Sequence, residues 1–332
     1  MNPPLKYNPK TESLVLRACR ADLTSRDGFS WKNKHVKAPD WSSAPKCGGG
    51  LHGWLNGQGD PDAWGHQDDD KWLLLAVKTS TIVNLGGKVK FPSARKLYVG
   101  SKVETASLLA SILPGVPVMF ANLTGGDRST LTGGNYSTLT GGNYSTLTGG
   151  NYSTLTGGYG STLTGGGCST LTGGHRSTLT GGHRSTLTGG DRSILTGSYG
   201  STLTGGGCST LTGGYGSTLT GGGGSTLTGG NGSALTGGDR STLTGGDCST
   251  LTGGNDSTLT GGDRSTLTGG DCSTLTGGND STLTGGNYST LQIKWWDHVA
   301  SRGRIATAYV GEDGIEANTA YKLDANYQFI KA

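Results

Sequence analysis

Ser129-Thr130-Leu131-Thr132-Gly133-Gly134-Asn135-Tyr136 is an eight-residue word that repeats without insertion or deletion as far as Gln292. Its first residue recurs at Ser137, Ser145 and onward to Ser289, giving 21 octads, and a degenerate copy, Ala121-Asn122-Leu123-Thr124, precedes them. Only Ile194, Ala234, Ser198 and Gln292 depart from the fixed positions. So short and strict a period marks a repeat architecture, in which each unit buries its apolar face against its neighbours.

The word selects a β-solenoid. Strand alternation sends Ser129 and Leu131 to one face and Thr130 and Thr132 to the other. Leu is the only large apolar residue of the octad, so its face is the inner one. Ser is small enough to line a thin core beside it, and the β-branched Thr suits an exposed strand. Gly133-Gly134 is expected to supply the positive φ of a corner, helped by Asn or Asp at the next position. One octad is too short to close a coil. Two give a flattened 16-residue coil with a Leu from each side meeting inside, and three a 24-residue triangle. Residues 239–280 do repeat every 24, which recent duplication also explains. One Leu and one Ser per side fill a two-sided core better than a triangular one, so the 16-residue coil is expected. At ~4.8 Å per strand, about 11 such coils make a rod roughly 50 Å long.

Two stretches, Gly158-Tyr159-Gly160-Ser161-Thr162-Leu163-Thr164-Gly165 and Gly214-Tyr215-Gly216-Ser217-Thr218-Leu219-Thr220, resemble the repeats of bacterial ice-nucleation proteins. In that family Gly-Tyr-Gly-Ser-Thr-x-Thr alternates with a Ser-x-Leu-Thr half to make a 16-residue coil. Arg128, Arg176, Arg184 and Arg192, each just before a Ser, resemble the family's arginine-bearing coils. The array departs from the family pattern in having Gly-Gly for Ala-Gly, only sporadic Tyr-Gly, and far fewer coils. The family is usually displayed at the outer membrane.

Composition agrees with a repeat protein more than with an enzyme: of 64 glycines in 332 residues, 49 lie in the array. The net charge of +4 arises before residue 121, where 16 basic residues face 10 acidic ones. With no long basic run, this does not point to nucleic acid. Met1-Asn2-Pro3-Pro4-Leu5-Lys6 lacks an apolar signal stretch, and the run Trp72–Val77 is too short to span a bilayer, so a cytoplasmic protein is expected, with surface or virion location left open. Cys168, Cys208, Cys248 and Cys272 all precede a Ser, separated by five, five and three octads. Successive ones fall on opposite sides of non-adjacent coils, out of reach of a disulfide within the chain, and are expected as outward thiols in a reducing compartment.

Three regions follow: an N-terminal α+β domain and cap at 1–120, the solenoid at 121–292, and a C-terminal β-meander cap at 293–332. The expected fold is thus dominated by β-structure. In the first region Leu14–Cys19, Gly28–Trp31 and Lys71–Val77 read as strands. Thr81–Leu85 and Lys88–Phe91 form a hairpin about Gly86-Gly87. Glu104–Leu113 reads as a helix ended by Pro114. Cys47-Gly48-Gly49-Gly50-Leu51-His52-Gly53 lacks the Gly-Lys-Ser/Thr of a phosphate loop and the ligand spacing of a metal site, and is expected as a structural turn. With Gly28–Trp31 upstream, it resembles an N-terminal domain of unknown function found in phage and bacterial proteins. The acidic run Trp64–Asp70 lacks the spaced oxygens of a calcium loop. In the last region Ile293–Trp296, Arg304–Val310 and Tyr327–Ile330 alternate as strands that would cover the bare end of the solenoid.

The outward Thr pairs are the candidate functional residues. Of 42 Thr places in the 21 octads, all but Ile194, Ala234 and Gln292 hold Thr. Lys, Gln and Val would equally suit an exposed strand, yet only Gln292, in the last octad, holds one of them, although duplication alone also produces uniformity. Rows spaced ~6.7 Å along a strand and ~4.8 Å between coils can order water. The resemblance implies contact with ice or ordered water, centred on Thr162, Thr164, Thr170, Thr172, Thr178, Thr180, Thr186, Thr188, Thr202, Thr204, Thr210, Thr212, Thr218, Thr220, Thr226, Thr228, Thr242, Thr244, Thr250 and Thr252. No catalytic residue, metal or cofactor is expected, and self-association of rods is a further expectation. A structural or adhesive spacer rod, derived from a phage, is the alternative.

Overall fold

The computed structural model describes residues 6–59 and 70–332. It divides into two compact units. The first holds residues 1–124 with 131–139 and 148–153, and the second holds the remaining array and the C-terminal region.

The first unit is built on one antiparallel sheet. Its strands are β1 (Glu12–Cys19), β2 (His35–Lys37), β3 (Leu51–Leu55), β4 (Lys71–Lys78), β5 (Val83–Asn84), β6 (Val89–Phe91) and β7 (Ser93–Gly100), in the order β2-β7-β4-β1-β3-β6-β5. Alternation along β1 sends Leu14, Leu16 and Ala18 to one core and Val15 and Cys19 to another, so the sheet is covered on both sides. The continuous apolar run of β4 fits its central, wholly buried place. Helix α1 (Lys102–Ile112) lays Ala106 and Leu109 on the first core. Ser101 caps it in a capping box with Glu104, so it starts two residues before the expected Glu104. The hairpin about Gly86-Gly87 forms, and both glycines have positive φ, as a type I′ turn requires. Also within this unit, Gly134 N–H donates to Val118 O and Phe120 N–H to Asn135 O, while Phe120 stacks on Tyr136 and Tyr136 on Tyr152.

The strand expected at Gly28–Trp31 does not form. Ser25 N–H closes on Phe29 O (2.8 Å) and Trp31 N–H on Leu23 O (2.8 Å), so the segment spends its backbone groups on a local turn with a single bridge, Thr24–Ser30. The buried Trp31 Nε1 donates to Ser25 Oγ at 2.7 Å and holds that turn against the sheet.

The second unit is a two-sided parallel β-solenoid, one three-residue strand per octad. Strand pairing links residue i to i+16, as in Leu163↔Leu179 on one side and Leu171↔Leu187 on the other. The 16-residue coil is therefore the repeat, and the solenoid has about 11 turns. Leu and Ser point inward and are buried from Ser137 and Leu139 on, with Thr outward. A buried hydroxyl needs an acceptor. Many of the serines donate to a glycine carbonyl, Ser161 Oγ to Gly158 O at 2.8 Å early in the array and Ser281 Oγ to Gly262 O at 3.2 Å later, while Ser201 Oγ donates to Ser198 O and, among the described residues, Ser137 Oγ has no hydrogen-bond partner.

The expected role of the Gly-Gly pair is corrected by the structure. Neither glycine of the pair has positive φ; the left-handed residue is the one before Ser, filled by Arg176, Arg184, Cys208 and Tyr288 as readily as by Gly216. The pair is there for space. A Cβ on Gly157 would lie 2.8 Å from Leu163 Cδ1, inside the core, and one on Gly222 would lie 2.8 Å from the backbone N of Gly207 in the preceding coil. The left-handed residue is held by the neighbouring coil instead: Arg176 N–H donates to Asp191 O and Arg184 N–H to Tyr199 O, each at 2.9 Å.

At the C-terminal end both sheets switch from parallel to antiparallel. Thr290–Asp297 extends one sheet and takes Arg302–Tyr309 in eight-residue register, while Ala320–Leu323 and then Phe329–Lys331 continue the other from Thr282–Thr284. The Ala320–Leu323 strand lies outside the three segments whose alternation marks strands in this region. Tyr321 is buried, Trp295 stacks on Tyr327, and the final strands carry the ion pairs Arg304–Asp297 and Lys331–Glu316. Charged, irregular final strands blunt edges that would otherwise template association. Deleting residues 293–332 is expected to expose two ready-made strand edges and produce concentration-dependent end-to-end association, measured by analytical ultracentrifugation. A truncated chain that stays monomeric with unchanged melting would show that these strands are not a cap.

Candidate functional site

The exposed Thr pairs form in-register ranks on both sheets. On one, Thr154, Thr170, Thr186, Thr202 and Thr218 follow one another coil by coil, each with its second Thr in the same register. On the other, Thr210, Thr226 and Thr242 do the same. All twenty nominated residues, Thr162 to Thr252, are exposed. The structure brings them together on the two faces of the two-sided coil, as expected. Ala234 interrupts the first face between Thr218 and Thr250, and Ile194, half exposed, interrupts the second between Thr178 and Thr210.

Apart from the triplets at Ile194 and Ala234, each Thr-Leu-Thr is paired with a Thr-Leu-Thr in the same register. Charged side chains lie at the corners, outside the ranks. The corners have their own ladder, which the repeat pattern did not disclose. Asp191 Oδ1 accepts the N–H of Gly207, Asp239 Oδ1 that of Asn255, and Asp271 Oδ1 that of Asn287, each from one coil further on at 2.7–2.8 Å. These bonds fix the height of one coil on the next and hence the spacing of the Thr ranks. The preference for Asn and Asp at this place was the available signal, although it was attributed to turn geometry.

The Cys47–Gly53 stretch offers no comparable site. Gly48, Gly49 and Gly50 make the turn, and a Cβ on Gly53 would lie 2.5 Å from Leu16 O, so that glycine lets β3 approach β1. Lys90 is fully buried and its ammonium donates to Lys46 O and Gly48 O, tying the turn to β6. Lys88 Nζ donates to Cys47 Sγ at 3.3 Å. Burial, then the charges of Lys88 and Arg17, holds the His52 imidazole below its ordinary pKa, so it is neutral at pH 7. Arg17 is pushed down to about 10 by burial and keeps its charge, donating to His52 O and Ser25 Oγ. Among the described residues no group of His, Cys, Asp and Glu could hold a metal ion. The acidic run at Trp64–Asp70 lies, apart from Asp70, outside the described residues. All six cysteines are free, and no described helix is long and apolar enough to cross a membrane.

The chain is similar to an ice nucleation protein of Pseudomonas syringae, 35% identical over 103 residues, which is 30% of this chain and 9% of that protein. It is also similar to the ice nucleation protein InaU of Pantoea ananas, 33% identical over 131 residues, covering 35% of this chain and 13% of the relative. A third, the ice nucleation protein of Xanthomonas campestris pv. translucens, is 43% identical over 104 residues, or 30% and 7% of the two chains. The chain thus spans about a tenth of the length of the curated relatives it matches. No family model matches it, and no solved structure does. The repeats are of the ice-nucleation type.

Proposed function

We propose that the two Thr-x-Thr faces order surface water and bind ice, and that the protein is not an enzyme. The observation that carries this reading is the in-register repetition of exposed Thr pairs, coil after coil, with the charges kept to the corners. Methyl and hydroxyl groups on one fixed lattice hold water at fixed positions, ~4.8 Å apart along the solenoid. The similarity to ice nucleation proteins supports the same chemistry. Length limits its strength: about 11 coils give faces roughly 50 Å long, enough to adsorb to a crystal but small as a template for a nucleus.

The test is ice-crystal morphology and droplet freezing temperature for wild type and for Thr210→Lys with Thr212→Lys. Both positions are exposed and mid-array, so circular dichroism should be unchanged while crystal shaping falls by more than half. The same pair of changes at Thr282 and Thr284, near an end, should cost less. Wild-type protein that leaves crystal shape and freezing temperature at buffer values would overturn the ice reading and leave the array as a spacer.

A further inference from the structure

Strand Thr290–Asp297 outruns one of its two neighbours. Its parallel pairing with Thr274–Gly277 ends at Gly277↔Ile293, whereas its antiparallel pairing with Arg302–Tyr309 continues to Asp297↔Arg302. The stretch 294–297 therefore has a strand partner on one side only. A cleft of about 580 Å³ lies beside it and takes in Asp263 and Asn279, the corner residues of the two preceding coils.

The aromatic lining of this cleft is unlike that of the rest of the chain. Trp31, Trp54 and Trp72 are buried, but Trp296 is 55% exposed. Its cross-strand partner is Gly303, where a Cβ would meet nothing within 4 Å, so the space beside the indole is open. Behind it Trp295 stacks on Tyr327 with ring planes 7° apart, which fixes one wall. The polar lining is balanced in charge. Arg304 Nε donates to Asp297 Oδ2 at 2.7 Å, and Lys294 has its counterpart in Asp263. Asp263 Oδ1 accepts the Asn279 N–H at 2.8 Å, which leaves Oδ2 as an acceptor for a ligand.

We propose that this cleft binds a neutral oligosaccharide of the cellulose or chitin type, with one pyranose ring laid on Trp296. The negative face of an aromatic ring attracts the C–H groups that cover the flat face of such a sugar. Each sugar hydroxyl both donates and accepts, and Asp263, Asn279 and Lys294 supply acceptors and donors together. A concave site with an aromatic floor and a few convergent polar groups is the form that small-ligand sites take. A highly charged ligand is disfavoured, because the cations already have counter-charges. An extended peptide added as a further strand is the other occupant an open edge can take. Four residues offer only ~13 Å of edge, against the ~17–20 Å of an ordinary strand, and Lys294 places a charge on it. The sugar reading is independent of the ice reading, since the cleft lies beyond the Thr ranks.

The test is isothermal titration calorimetry of the full chain with cellotetraose, tetra-N-acetylchitotetraose, maltotetraose and a short alternating Thr-Val peptide. At least one of the two equatorially linked tetrasaccharides should bind saturably, with equal affinity at low and high salt, because no net charge is neutralised. Maltotetraose, whose axial linkages curl the chain, should bind more weakly. Trp296→Ala should lower the affinity at least about tenfold without shifting the melting temperature, since the ring is exposed. Trp296→Phe keeps an aromatic face and should stay within about threefold of wild type. Asp263→Asn keeps an Oδ1 for the corner bond and should weaken binding about threefold. Failure of both equatorially linked tetrasaccharides to bind, tighter binding of the peptide, or undiminished affinity in both Trp296→Ala and Asp263→Asn would overturn the proposal.

Discussion

Leu211→Asp is expected to destabilise the solenoid by at least about 4 kcal/mol, while Thr210→Asp, one residue earlier, should change stability by less than about 0.5 kcal/mol. Leu211 is fully buried and lies between Leu195 and Leu227 in a ladder of identical side chains. The core around it contains only Leu and Ser, and serine hydroxyls there donate to glycine carbonyls. A carboxylate at that point finds no cation and no free donor, so it stays uncompensated or is forced to take up a proton. Thr210 is exposed and its register neighbours are Ile194 and Thr226, neither charged. Solenoid stability is a sum over coils and their interfaces, so damage at one coil weakens both neighbours. Thermal unfolding followed by circular dichroism should show an early, broadened transition for Leu211→Asp alone. Equal losses in both variants would refute the inside–outside assignment.

That assignment was legible in the sequence because it rests on a period of two inside a period of eight. A single Leu among small and polar residues leaves one possible inner face, and the need to bring two such faces together selects the 16-residue coil. The Thr candidates followed from the same alternation. Their division into two faces, with gaps at Ile194 and Ala234, follows from the 16-residue coil that the octad already implies. The corner was misread for a physical reason. Two glycines suggest backbone freedom, but here Gly222 serves to make room for the preceding coil, and the left-handed position falls to residues such as Arg184 that local preference alone would not place there. What holds Arg184 is a hydrogen bond to Tyr199 in the next coil, and a partner 15 residues away leaves no local pattern. The first unit was less legible still. β7 is half-exposed over much of its length and has no clean alternation, and the Gly28–Trp31 segment carries strand-forming aromatics whose backbone closes a turn. Gly53 stands in a motif that looks chemical, yet its requirement is the closeness of β1.

Gly222→Ala is the substitution that separates space from backbone freedom at the corner. The added methyl would lie 2.8 Å from Gly207 N, 3.0 Å from Gly206 C and 3.0 Å from Gly207 Cα. All three are backbone atoms of the coil below, tied into the array, so no side chain can swing away to relieve the contact. Gly222 N–H also donates to Gly206 O at 3.2 Å, and separating the coils to admit the methyl would stretch that bond. Overpacking of this kind costs about 3 kcal/mol. Gly223→Ala is the control, since its methyl would meet only Asp239 O at 3.4 Å, an ordinary contact, and its φ is not positive. It should be neutral, or slightly stabilising through the loss of unfolded-chain entropy. If backbone freedom were the requirement, both glycines would resist alanine to a similar degree. Denaturant melts of the two variants decide it: a large loss confined to Gly222→Ala shows that the coils are spaced by the absence of a single Cβ, and the ~4.8 Å interval of the Thr ranks then depends on that glycine as much as on the strands that carry them.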